Sequence, residues 1–99
     1  MAYILQVGFK MRGPFEMKAH EFSGLAESIN NEEGFLWKIW TENQDTSEAG
    51  GIYCFRTKRY AETYLEIHSK RLTNLGVADF NAKIFSINAP LTKITKGLY

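Results

Sequence analysis

Phe35-Leu36-Trp37-Lys38-Ile39-Trp40 follows Gly34 and contains both tryptophans of the chain. Read as a strand, its side chains alternate between two faces, so Trp37 and Trp40, three apart, point in opposite directions. A small sheet with a large aromatic on each face must cover both. Helices of the same chain can cover one. In a chain of 99 residues little is left for the other, and burial there calls for a partner.

Working outward, Tyr3 to Phe9 reads as a strand, with Tyr3, Leu5, Val7 and Phe9 on one face and Ile4, Gln6, Gly8 and Lys10 on the other. Gly13-Pro14 breaks it. Phe22, Leu25, Ala26 and Ile29 recur at helical spacing, and that helix ends near Asn30-Asn31. After the tryptophan strand, the polar stretch from Asn43 to Gly51 reads as a long hairpin connection, and Ile52 to Phe55 as a third strand. Thr57 is suited to cap a second helix, whose buried stripe is Ala61, Tyr64, Leu65, His68, Leu72 and Leu75, with Gly76 as its stop. Glu66 and Lys70 make an i,i+4 pair on its solvated side. Asp79 to Asn88 reads as the last strand, ended by Pro90. One domain over 1–99 is expected, with 89–99 a tail whose Leu91, Ile94 and Leu98 suit a short docking helix.

The order β-α-β-β-α-β predicts an α+β, ferredoxin-like fold: an antiparallel sheet with both helices on one face and the first and third strands central. The tryptophan strand then lies at an edge. The odd positions Phe35, Trp37, Ile39 and Thr41 are assigned to the helix side. The even positions Leu36, Lys38, Trp40 and Glu42 are assigned to the open face of a homodimer packed sheet to sheet, where Trp40, Lys38 and Glu42 make the interface. A one-residue bulge would swap these faces locally.

Composition narrows the function. Twelve Lys+Arg against eleven Asp+Glu leave a charge of +1, a weak footprint for nucleic acid or an anionic membrane. A lone cysteine, Cys54, fits a reducing, cytoplasmic compartment, and no apolar run approaches the ~20 residues of a membrane helix. The start of the chain lacks the pattern of a secretion signal. Cys54, His20 and His68 show no metal-ligand spacing, and there is no Gly-rich phosphate motif.

Several words of the chain together resemble a known family: Leu25-Ala26-Glu27-Ser28-Ile29-Asn30, Gly34-Phe35-Leu36-Trp37-Lys38, Trp40-Thr41-Glu42 and Glu48-Ala49-Gly50-Gly51-Ile52-Tyr53. Tyr64-Leu65-Glu66, His68, Arg71-Leu72, Asn74-Leu75-Gly76-Val77 and Asn88-Ala89-Pro90-Leu91 continue it. The chain is similar in these to the YdhR-type putative mono-oxygenase family of the dimeric α+β barrel superfamily. The resemblance implies a dimer of ferredoxin-like subunits and kinship with small mono-oxygenases that oxidise aromatic polyketides without metal or flavin. In such chemistry a phenol, anthrone or quinol is deprotonated and itself supplies electrons to O₂, so no cofactor is expected. The protein must provide an apolar pocket, a base and donors for developing negative charge.

Candidates for these tasks are His68 as base and Arg71, one turn on, as partner for an anionic intermediate. Trp37, Tyr53 and Tyr64 are the candidate substrate contacts. Each also has a plain structural use: a hydrogen-bonded core histidine, a surface ion pair, core aromatics. The Asn, Trp, Tyr and Arg set of the polyketide-oxidising relatives has no placement on this chain. The haem-degrading pattern of helix His, Trp and first-strand Asn meets His68 and Trp37 but Gln6 in the first strand. Two other function classes compete. One is a dimeric small-molecule binder without turnover. The other is an RNA-binding sheet, faintly suggested by Gly51-Ile52-Tyr53-Cys54-Phe55.

Overall fold

The computed structural model describes residues 2–11, 19–74 and 77–97, with the side chains of 19–22 and 78 outside that description. Its elements run β1 (Tyr3–Lys10), α1 (Ala19–Ile29), β2 (Phe35–Asn43), β3 (Glu48–Phe55), α2 (Lys58–Asn74), β4 (Ala78–Ser86) and α3 (Ala89–Ile94). The four strands form one antiparallel sheet in the order β2-β3-β1-β4, the ferredoxin-like arrangement. The expected roles of Gly13-Pro14, Leu75, Gly76 and Leu98, and of the Phe22 side chain, fall outside the described residues.

The core lies between this sheet and the helices. Leu5 and Val7 of β1 meet Tyr53 and Phe55 of β3, Ile29 of α1, and Ala61, Tyr64 and Leu72 of α2. On β1 the odd positions therefore face the helices, as the alternation predicts. The α2 stripe also forms as read, with Ala61, Tyr64, His68 and Leu72 buried. Thr57 Oγ1 accepts a hydrogen bond from the Tyr60 amide at 3.2 Å and caps that helix, and Glu66 and Lys70 meet at 3.9 Å in solvent.

Strand boundaries at β3 and β4 differ from the sequence reading. Glu48 to Gly51 are not connection but the first half of β3, paired on one side with Val7–Lys10 and on the other with Trp40–Asn43. Small, polar residues there look like a turn, yet a central strand can use glycine where neighbouring backbones approach closely. The true connection is four residues, tightened by Asn43 Oδ1, which accepts from the Asp45 amide at 3.0 Å. β4 ends at Ser86 instead of Asn88, because Asn88 caps α3 and accepts from the Leu91 amide at 3.1 Å. Gly34 turns the chain from α1 into β2 at φ +77°, where a Cβ would overlap the Tyr60 ring.

The largest correction concerns β2. Phe35 pairs with Phe55, but Trp37 pairs with Cys54, so Leu36 is an extra residue and the register shifts by one. Beyond it Lys38 stands opposite Tyr53, Trp40 opposite Gly51 and Glu42 opposite Ala49, all on the helix side. Trp37, Ile39 and Thr41 turn to the open face with Cys54, Ile52 and Gly50. The expected placement of Trp37 beneath the helices, and of Lys38, Trp40 and Glu42 on the open face, is thus reversed.

Candidate functional site

The swap brings a lysine into aromatic surroundings. Lys38 Nζ sits 3.3 Å from the centroid of the Trp40 ring and 4.5 Å from that of Tyr53. Gly51, opposite Trp40, leaves the room for this: a Cβ there would come within 2.6 Å of Lys38 Cε and 3.0 Å of Tyr53 Cε1. Burial pushes the amine down from its ordinary value to about 7. The two ring faces attract the ammonium form and offset part of that loss of solvation.

Behind the lysine lies a buried polar array carried by β3 and α2. Tyr53 Oη and His68 Nε2 are 3.2 Å apart. Two tautomers satisfy this contact: the phenol donates to Nε2 with the proton on Nδ1, or Nε2–H donates to the phenol oxygen. His68 is 6% exposed, and burial first, then the charges of Lys38 and Arg71, lower its pKa to about 4. It is therefore a neutral imidazole near neutral pH. Burial holds both tyrosines well above the normal phenol range. They are neutral hydrogen-bonding groups and not phenolates.

Tyr64 stacks on His68 with ring centroids 5.1 Å apart and lies 5.1 Å from Tyr53. Its hydroxyl is electrostatically coupled to that of Tyr53 but lacks good hydrogen-bond geometry with it. Tyr64 Oη and His68 Nδ1 are both buried and make no hydrogen bond among the described residues. Arg71 stands at the margin, about half exposed, 3.8 Å from Glu32. It acts on His68 through its charge and not through contact.

A cleft of about 320 Å³ opens between α1 and β2. Ala26, Ile29 and Asn30 form one wall; Phe35, Trp37, Lys38 and Trp40 contribute to the other. The volume suits a small ring system. Lys38 and Trp40 thus belong both to the cleft and to the polar array. Trp37, although on the open face of the sheet, reaches the cleft rim at the strand edge.

Of the residues singled out in the sequence, Tyr53, Tyr64 and His68 come together and Arg71 lies beside them. Lys38 is the residue that sequence reasoning placed elsewhere. The available signal was a lysine between two tryptophans on a strand otherwise apolar through Trp40. Among the described residues no three His, Cys, Asp or Glu side chains group as a metal site, and no helix is long and apolar enough to cross a membrane. The side chain of His20 lies outside the description. The aromatics expected to stack RNA bases, Tyr53 and Phe55, are 1% and 0% exposed beneath the helices. That removes the feature on which the RNA reading rested.

Fold and site together define a ferredoxin-like α+β protein with a cleft lined by a half-buried lysine, beside a buried Tyr–His pair. The family described as "Putative mono-oxygenase ydhR" matches residues 4–98, and the chain belongs to it. Two solved structures share the fold. One is a putative antibiotic biosynthesis monooxygenase from Deinococcus radiodurans, with TM-score 0.59, 15% identity, and coverage of 89% of this chain and 93% of that one. The other is a mutant of SnoaB, a cofactor-independent oxygenase from Streptomyces nogalater, with TM-score 0.58, 10% identity, and coverage of 88% and 93%. No curated protein matches the sequence significantly.

The buried histidine makes folding pH-dependent. Its folded pKa of about 4 lies below the unfolded value of 6.5, so the unfolded chain takes up the proton first as pH falls. Stability present above about pH 6.5 is expected to decline towards pH 4, by up to about 3 kcal/mol from this residue. Urea midpoints across that range measure it. The decline should flatten in His68→Asn, and an equal decline in both proteins would refute the assignment.

Proposed function

We propose that this protein is a mono-oxygenase acting, as a homodimer, on a small phenol-, anthrone- or quinol-like compound bound in the cleft between α1 and β2. The observation that carries this reading is a cleft wall holding a desolvated amine and an indole, joined to a neutral Tyr53–His68 pair, in a chain of a mono-oxygenase family. The indole of Trp40 contributes apolar surface to the cleft wall. Lys38 is a nitrogen base poised near neutral pH, with His68 a neutral imidazole buried behind it. Arg71 contributes positive field at the margin of the array. Trp37 contributes to the rim, and Tyr53 and Tyr64 supply phenolic donors to the interior.

The chemistry balances without an added reductant. Base removes a proton from the substrate, and the resulting carbanion or phenolate passes an electron to O₂. Radical recombination forms a carbon–oxygen bond. Cleavage of the O–O bond leaves one oxygen in the product as a carbonyl, and the other departs as water. For a methylene substrate the two C–H bonds provide all the electrons. An apolar cleft favours this course by keeping water from the reactive intermediate.

Oxygen uptake with a panel of anthrones and hydroquinones tests the reading. Consumption of one O₂ per carbonyl formed is expected, together with a fall of roughly 10²-fold in kcat, the usual scale for a lost acid–base group, in Lys38→Met. Binding of these compounds with no oxygen uptake would instead establish a binder without turnover.

A further inference from the structure

We propose that Lys38 is the group that takes the proton from a weakly acidic hydroxyl or enol of the ligand, with Trp40 and Tyr53 positioning its amine. This rests on the oxygenase reading for its purpose but not for its chemistry. In the step the ligand's O–H bond breaks and an N–H bond forms on Nζ, leaving an ammonium beside a phenolate or enolate. The ligand class is therefore a phenol or an enolisable aromatic ketone that binds as its anion.

The geometry favours Lys38 over His68. Lys38 lines the α1–β2 cleft, whereas His68 is 6% exposed with Nε2 engaged by Tyr53. The amine is held by contacts that leave its lone pair usable: ring faces at 3.3 and 4.5 Å, and no ion pair with a carboxylate among the described residues. Gly51 keeps open the volume that its Cε occupies. A half-buried lysine lowered towards neutrality is a suitable base, because accepting the proton creates an ion pair with the ligand it has ionised.

The groups around it are consistent with this direction of transfer. β3 presents Tyr53, and α2 presents Tyr64, His68 and Arg71, whose charges are neutral or positive at neutral pH. Among the described residues, α1 and the residue after it contribute Ala26, Ile29 and Asn30 to the cleft and no charge. Glu32 is drawn away in its pair with Arg71. An anion formed in the cleft would thus meet a protonated Lys38 as its nearest counter-charge.

The probe is 3-nitrophenol, a weaker acid than 4-nitrophenol, whose phenolate absorbs in the visible while the phenol does not. It is titrated into the full chain at a pH above the value of about 7 for Lys38 and below the probe's own pKa, so that amine and phenol both start neutral, and isotope-edited NMR follows Lys38 Nζ in the wild type. The expected result is a phenolate band on binding, with Nζ becoming protonated as the probe saturates. Lys38→Met, which keeps the stem over Trp40, should lose the band and bind about tenfold or more weakly. His68→Gln should keep the band. A band that survives in Lys38→Met and vanishes in His68→Gln would overturn the proposal, as would unchanged Nζ in the saturated wild type or failure of nitrophenols to bind. The wild-type NMR titration decides the matter even if a variant does not fold. A phenolate band with no oxygen uptake would support Lys38 as the acceptor while defeating the oxygenase reading.

Discussion

Replacing Ile39 with aspartate is expected to turn a dimer into a monomer while leaving the subunit's circular dichroism unchanged. Ile39 is 54% exposed and Phe85 49%, both on the sheet face away from the helices, where Trp37, Ile52 and Ile4 are half-buried. In an isolated subunit an aspartate there keeps its water, so the fold loses little, within about 0.5 kcal/mol. Inside a sheet-to-sheet interface the same carboxylate must be desolvated without a partner. That costs about 2–4 kcal/mol, or roughly 30- to 1,000-fold in the dimer dissociation constant. Sedimentation velocity of wild type and variant at micromolar concentration measures it. A monomeric wild type, or an Ile39→Asp protein that stays dimeric, would refute this use of the open face.

Gly50→Ala is expected to be the most damaging small substitution in the sheet, and its neighbour Gly51→Ala a mild one for folding. At Gly50 a Cβ would overlap the Val7 carbonyl and stand 3.1 Å from the Gly8 Cα, so β1 and β3 could not keep their pairing. Backbone cannot swing aside as a side chain does. A loss of about 3 kcal/mol follows, which lowers Tm by roughly 12–24 °C for a domain of this size. At Gly51 the closest atom is Lys38 Cε at 2.6 Å, the far part of a flexible chain, with the Tyr53 ring next at 3.0 Å. The amine can yield, so the expected loss is nearer 1 kcal/mol, while the amine leaves its place over Tyr53. Thermal melts of the two variants check the contrast. Equal melting temperatures would show that the sheet relaxes around Gly50.

Much of this architecture is legible in residue order. On β1 the odd and even sets are sharply different, so one alternation assigns its faces. On α2 the spacing from Ala61 to Leu72 could form one buried stripe and no other, and His68 falls inside it. β3 was harder because Glu48-Ala49-Gly50-Gly51 has the composition of a turn. Its pairing is set by two neighbours at once, which local reading does not see. Asn88 likewise reads equally well as a strand end or a cap, and only the following turn of helix distinguishes them.

Phe35 to Trp40 shows where local information stops. Two tryptophans three apart require burial on both faces of a strand, and that follows from the pleat alone. Which tryptophan faces which side depends on the extra residue at Leu36, and alternation carries no mark of an insertion. The Cα register with β3 decides it, because Phe35 and Lys38 must both stand on the side of Phe55 and Tyr53. Composition and order therefore determine a ferredoxin-like sheet with one covered and one apolar open face. Tertiary pairing alone puts Lys38 between Trp40 and Tyr53 on the helix side, and Trp37 and Ile39 on the outside. A lysine whose neighbours along the chain suggest an interface comes, through one bulge, to line a cleft on the helix side.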